Sequence, residues 1–126
     1  MRLVLYAAAG GAIGTVARHL ANVGFGRWLG AGFPWSTLFV NVVGGFLMGA
    51  VIEALALRFD GSLELRTFIA TGVLGGFTTF SAFSMDAVLL MQRGETVAAA
   101  LYIGGSVVLS ILALLAGLWL TRLVLT

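Results

Sequence analysis

GVLGGFTTFSAFS, residues 72–84, lies in the middle of a long apolar run and carries no charge. It crowds two adjacent glycines, two threonines, two serines and three phenylalanines into one segment. Gly75-Gly76 followed by Phe77-Thr78-Thr79 is poor helix sequence, because glycine and β-branched residues are weak helix formers. What such a segment does depends on its solvent, and the rest of the chain identifies that solvent.

Of 126 residues, 60% are hydrophobic and 10% are charged, whereas a soluble domain carries roughly 25% charged residues. So small a volume cannot bury that much apolar side chain, so lipid is the expected solvent. Cysteine and lysine are absent and His19 is the only histidine. That excludes disulfides and thiol chemistry, leaves too few ligands for zinc, and offers few candidates for a nucleophile–base pair. The net charge of +2 is small, and no basic cluster marks a nucleic-acid footprint.

A spanning helix needs about 20 mostly apolar residues. Four segments qualify, at about Leu3–Val23, Ser36–Leu57, Leu65–Met91 and Thr96–Leu123. The expectation is one all-α, four-helix transmembrane domain over residues 1–126. The punctuation agrees: Pro34 precedes the second segment, and Ser36 can cap it. Asp60-Gly61 and Arg93-Gly94 are turn chemistry. Trp28, Trp35 and Trp119 fall near segment ends, where an interfacial aromatic belt belongs. Arg2 and the alanines at 7–9 permit a cleaved-leader reading of the first segment, but its apolar character continues past Gly14.

Four helices put both termini on one side of the membrane. Arg2, Arg58, Arg66 and Arg122 then share the terminal side, and Arg18, Arg27 and Arg93 the other. Orientation follows the arginine and lysine bias between sides, and here it is almost nil. Dual topology is the resulting hypothesis, with antiparallel pairing about a two-fold axis in the membrane plane.

A helix broken in lipid frees backbone groups that must be buried in protein or line a site. Freed carbonyls are ligands for a hard cation such as Na⁺. After the break, Phe80 and Phe83 share a face if the helix resumes, and their positive ring edges can meet a small anion, with Thr79, Ser81 and Ser84 as nearby donors. Equally, the segment can be a kinked helix with core phenylalanines. Asn41 carries an amide that is costly in lipid unless bonded, so it makes either a helix–helix hydrogen bond or a contact on a permeation path. Tyr102, Ser106 and Ser110 stand four apart on one face, lining a pathway or bonding back to their own helix. Arg18 lies inside the first segment, near enough to its end to snorkel, and puts positive potential near one mouth of the bundle. Glu53 and Asp86 lie near helix ends, solvated or paired. Gly10/Gly14, Gly45/Gly49 and Gly72/Gly76 are small-residue faces for close helix packing.

Taken together, GGFTTFSAFS, TLFVNVVGG and GGAIGTVARH resemble the Fluc fluoride channel family, also called CrcB, over nearly the whole chain. The resemblance implies a dual-topology antiparallel homodimer with two pores that releases cytoplasmic fluoride passively across the inner membrane. It implies pore roles for Asn41, Phe80 and Phe83, for Thr79 and Ser81 beside the anion track, and for Tyr102 and Ser110 on the fourth helix, whose stripe also holds Ser106. It implies that backbone carbonyls of Gly75 and Thr78 hold a structural Na⁺ at the dimer centre, and that Arg18 stands near an aqueous vestibule. Ala82 departs from the family pattern, where threonine or serine is common. A small multidrug antiporter also has four helices, but needs a carboxylate in the first helix, which has none. A non-transporting assembly subunit would explain the glycine faces alone.

Overall fold

The computed structural model describes residues 1–30, 32–58 and 62–126. Helix α1 runs Arg2–Leu29 and α2 runs Trp35–Leu57. The third span comprises α3, Leu63–Arg66, a π-helical stretch Thr67–Leu74, α4, Gly75–Phe77, and α5, Phe80–Gln92. Helix α6 runs Thr96–Leu125. Among the described residues there is no strand, and α1, α2, Leu63–Gln92 and α6 are each long and apolar enough to cross a membrane.

The packing inverts that of a soluble bundle. Large aliphatic side chains such as Ile13, Leu20, Val108, Leu112 and Leu115 point outward on all sides, as lipid requires. Between the helices it is glycine that packs. A Cβ on Gly10 would overlap the Phe68 carbonyl oxygen, and one on Gly72 would sit 2.8 Å from the Gly10 Cα. The α1 and third-span backbones therefore touch along Gly10, Gly14, Gly72 and Gly76. Helices α2 and α6 meet the same way, with Gly49 against the Leu114 carbonyl and Gly117 against that of Phe46. With no hydrophobic force between helices in lipid, such close backbone approach supplies the dispersion contact that holds them.

Polar contacts close both ends. At the terminal end the Arg122 guanidinium pairs with Glu53 at 3.1 Å, and Arg58 donates twice to the Leu125 carbonyl, at 3.0 and 3.3 Å. At the opposite end Arg93 donates to the Gly32 carbonyl at 2.9 Å and pairs with Glu95 at 3.1 Å. There the Arg93-Gly94 turn ends α5 in a Schellman arrangement: Gly94 takes φ 79°, its N–H bonds Met91 O, and Glu95 N–H bonds Leu90 O, both at 3.0 Å. The Asp60-Gly61 turn lies outside the described residues.

Two local expectations are corrected. Helix α1 continues past Val23 to Leu29, and ends where Gly30 adopts φ 74°. Ser36 does not cap α2: the helix already begins at Trp35 behind Pro34, and the Ser36 hydroxyl donates instead to the Asn22 side-chain oxygen.

Candidate functional site

The third span is interrupted at Thr78 and Thr79, which are extended at φ −87°, ψ 159° and φ −155°, ψ 122°. Gly75 and Gly76 themselves are helical. The break is thus one turn later than glycine content suggests, and its cause is tertiary. Asn41 on α2 offers its amide to the Thr79 backbone: Thr79 N–H donates to Asn41 Oδ1 at 2.8 Å, and Asn41 Nδ2 donates to Thr79 O at 3.1 Å. A side-chain amide here substitutes for a helical neighbour. Thr79 then starts α5 as its cap, with Oγ1 accepting from Ala82 N–H at 3.1 Å.

The break frees backbone carbonyls from Gly75 to Thr78. Gly75 O loses its regular donor, because Thr79 N–H is turned to Asn41. Thr78 O loses its own, because Ala82 N–H is turned to Thr79 Oγ1. Gly76 O receives Arg18 Nε at 3.0 Å. The Thr78 hydroxyl bonds back to Leu74 O at 3.0 Å, so what Thr78 has to offer is its carbonyl.

On the α6 side the break opens into a groove of about 340 Å³. Asn41, Thr79, Phe80, Phe83, Ser106 and Ser110 line it. The two serine hydroxyls have no hydrogen-bond partner, although their oxygens are buried and Ser106 is only 4% exposed. They do not bond back to their own helix, so the groove holds two unsatisfied hydroxyl groups. The Phe80 and Phe83 rings are 5.5 Å apart, centroid to centroid. Phe83 is 8% exposed and Phe80 76%, so one ring is packed in the chain and the other is on its surface. Ser81 is exposed and lies 3.3 Å from the Thr79 hydroxyl, while Ser84 bonds back to Phe80 O at 3.0 Å.

Tyr102 is 1% exposed and does not line that groove; it stands at its loop-side end. Its ring contacts Phe83 at 5.2 Å and meets Phe33 edge-on at 5.5 Å, and its hydroxyl donates to Asp86 at 3.1 Å. Beyond it a second cavity, about 350 Å³, opens at the loop end among Asn22, Phe33, Trp35, Thr37, Asp86 and Arg93. A tyrosine–carboxylate pair therefore separates an interior groove from an end cavity.

Known proteins bear on this arrangement. The family described as CrcB-like protein, Camphor Resistance (CrcB), matches residues 5–118. The chain belongs to the CrcB family. It is 56% identical to the fluoride-specific ion channel FluC of Chelativorans sp. over 116 residues, 92% of this chain and 93% of that one. It is 50% identical to the protein of that name from Nitrobacter winogradskyi over 121 residues, 96% of each, and 55% identical to that of Agrobacterium fabrum over 115 residues, 91% and 92%.

Within this CrcB chain the structure gathers Asn41, Thr79, Phe80, Phe83, Ser106 and Ser110 into one groove, with Tyr102 at its end and Ser81 outside it beside the Thr79 hydroxyl. Arg18 is elsewhere. Because α1 extends to Leu29, Arg18 is well inside the span, and instead of snorkelling to the helix end its Nε bonds the broken helix. Asp86 joins the site through Tyr102: it follows Phe83 by three on α5 and so lies on the same helical face, a spacing visible in the sequence. Ala82 contributes its N–H to the Thr79 cap, a backbone role that needs no side-chain hydroxyl.

Proposed function

We propose that the chain is a fluoride-selective channel, not an enzyme, through which cytoplasmic fluoride leaves passively across the inner membrane. The observation that carries this reading is the groove at the break, where the Asn41 amide, the Phe80 and Phe83 rings and two unpartnered serine hydroxyls converge. The name of the 50–56% identical relatives points the same way. Fluoride is small and strongly hydrated, so a selective path must replace its water with close donors. Ring edges, one amide and hydroxyls do so without a fixed charge, and a conducting site must not hold its ion too well. The Thr79 and Ser81 hydroxyls, 3.3 Å apart, extend the polar track toward the chain's exposed face, and the Tyr102–Asp86 pair bounds it toward the loop-end cavity.

The working unit in this reading is an antiparallel homodimer with two pores. Its support is what one chain leaves uncovered: Thr71, Ser81 and the backbone at Gly75 are exposed in the interior of a membrane span, and polar groups there need protein cover. The freed Gly75 and Thr78 carbonyls fit a structural Na⁺, which takes oxygen ligands. Two oxygens do not complete the shell of a hard cation, so a second copy would supply the others. When bound, the ion adds positive potential at the centre. Cysteine variants at Gln92, introduced into a chain with no native cysteine, are expected to react with an impermeant thiol reagent from both sides of the membrane. Labelling from one side only rejects dual topology.

Reconstitution into liposomes loaded with potassium fluoride or potassium chloride tests the activity. Fluoride release without chloride release is expected at an ion-selective electrode; no fluoride release, or equal chloride release, overturns the reading. In the same assay Phe80→Ile and Phe83→Ile are expected to slow release by about two- to tenfold, if a ring edge contributes to the anion what aromatic pairs contribute to each other, roughly 0.5–1.5 kcal/mol. Wild-type release in both variants would count against ring-edge contact.

A further inference from the structure

The broken span is held from two sides, and only one of them belongs to the groove. Asn41 reaches it from α2 and lines the groove. Arg18 reaches it from α1, on the other side, and no residue of α1 lines the groove. Its half-buried guanidinium has no carboxylate partner among the described residues. Its Nε donates to Gly76 O at 3.0 Å. A charge inside a span is retained only where something nearby needs it, and here the partner is a backbone carbonyl at a helix end.

The chemistry of that end explains the choice. The last four carbonyls of a helix have no intrahelical donor, and at this end they are those of Gly75, Gly76, Phe77 and Thr78. They carry the negative end of the helix dipole, and lipid supplies no donor. Arg18 takes the second of the four. It also sits four residues after Gly14, whose missing side chain lets α1 lie directly on the Val73 carbonyl. The guanidinium is thus delivered at fixed depth, on a helix seated against the turn it bonds.

We infer that Arg18 is a positioning residue for the cation site: by tying down the Gly76 carbonyl it fixes the turn Gly75–Thr78, and so holds the Gly75 and Thr78 carbonyls where a cation can use them. This inference rests on the cation reading above. It carries a sign that a purely electrostatic role does not. A guanidinium beside a cation site repels the cation, so removing it should strengthen Na⁺ binding unless the arginine organises the carbonyls. Positioning requires the opposite.

The test reads the unfolding midpoint of the purified full chain as NaCl replaces choline chloride at constant ionic strength. For wild type the midpoint is expected to rise with Na⁺. In Arg18→Gln the half-saturating Na⁺ concentration is expected to rise by at least about tenfold, as loss of one charge-assisted hydrogen bond implies. Tighter or unchanged Na⁺ response in Arg18→Gln overturns the inference. If that variant cannot be purified, Arg18→Lys decides. Lysine keeps the charge but moves the donor one atom outward and loses the planar fork, so positioning predicts a higher half-saturating concentration and charge alone predicts none. A wild-type protein whose midpoint ignores Na⁺ removes the cation reading itself, whereas normal wild-type response with unaltered variants removes only the role of Arg18.

Discussion

Asn41→Ala is expected to abolish fluoride release and to lower the unfolding midpoint of the protein. Two hydrogen bonds are lost, to Thr79 N–H and Thr79 O. Each buried backbone group left unpaired costs about 1–3 kcal/mol, so the open break loses roughly 2–6 kcal/mol. The chain has one way to recover part of this. Thr79 N–H can return to Gly75 O, its ordinary helical partner, which closes the break. Closing it withdraws the Gly75 carbonyl from any cation and turns the Phe80–Ser84 segment about the helix axis, away from Ser106 and Ser110. Both outcomes end conduction on the proposed reading, the first by destabilising the site and the second by dismantling it. Asn41→Asp separates the clamp from the amide's size. The carboxylate still accepts from Thr79 N–H but faces Thr79 O with no donor, and it sets a negative charge on an anion path, so release is again expected to be lost. Liposome release and thermal unfolding together check both variants. Asn41→Ala releasing fluoride at the wild-type rate would show that the clamp does not hold the conducting state.

How much of this was legible beforehand differs with the range of the interactions. Four spans follow from apolar length against bilayer thickness, and the Gly94 turn follows from local chemistry, so both were readable. The break was readable only as a region. Gly75 and Gly76 weaken a helix in isolation, but here Gly76 is used for approach, its Cα facing Gly11 O and Thr15 on α1, and both glycines remain helical. What opens the helix is an amide 38 residues away in sequence competing for one peptide unit, and local propensity carries no trace of it. The π-helical turns of Thr67–Leu74 were likewise hidden, because a register of hydrogen bonds has no compositional signature. Arg18 gives no sign of its bond to Gly76 in the sequence for a simpler reason. Its expected destination depended on where α1 ends, and helix ends are the least certain part of any sequence reading. For Ser106 and Ser110 the sequence permits both a pathway and back-bonding, and their hydroxyls, unbonded to their own helix, favour the groove.

The glycine seams carry the second large effect. Gly14→Ala is expected to destabilise the protein by about 1–3 kcal/mol, the usual cost of forcing a group into a filled contact. Its Cβ would collide with the Val73 carbonyl oxygen and lie 2.8 Å from Phe77 N. Both are backbone atoms and cannot rotate away, so α1 as a whole must move off the third span. That motion carries Arg18 with it, four residues along the same face, and lengthens its bond to Gly76. The defect should therefore appear as a weaker Na⁺ response as well as a lower unfolding midpoint. Gly11→Ala is the control, three residues earlier on the same helix. A Cβ there meets nothing within 4 Å, and alanine is favoured over glycine in a helix interior by roughly 1 kcal/mol. The two substitutions are chemically the same, yet their effects on the midpoint should have opposite signs. Equal midpoints for Gly14→Ala and Gly11→Ala would mean that α1 is not seated on the broken span by backbone contact, and that something other than this seam delivers Arg18 to the break.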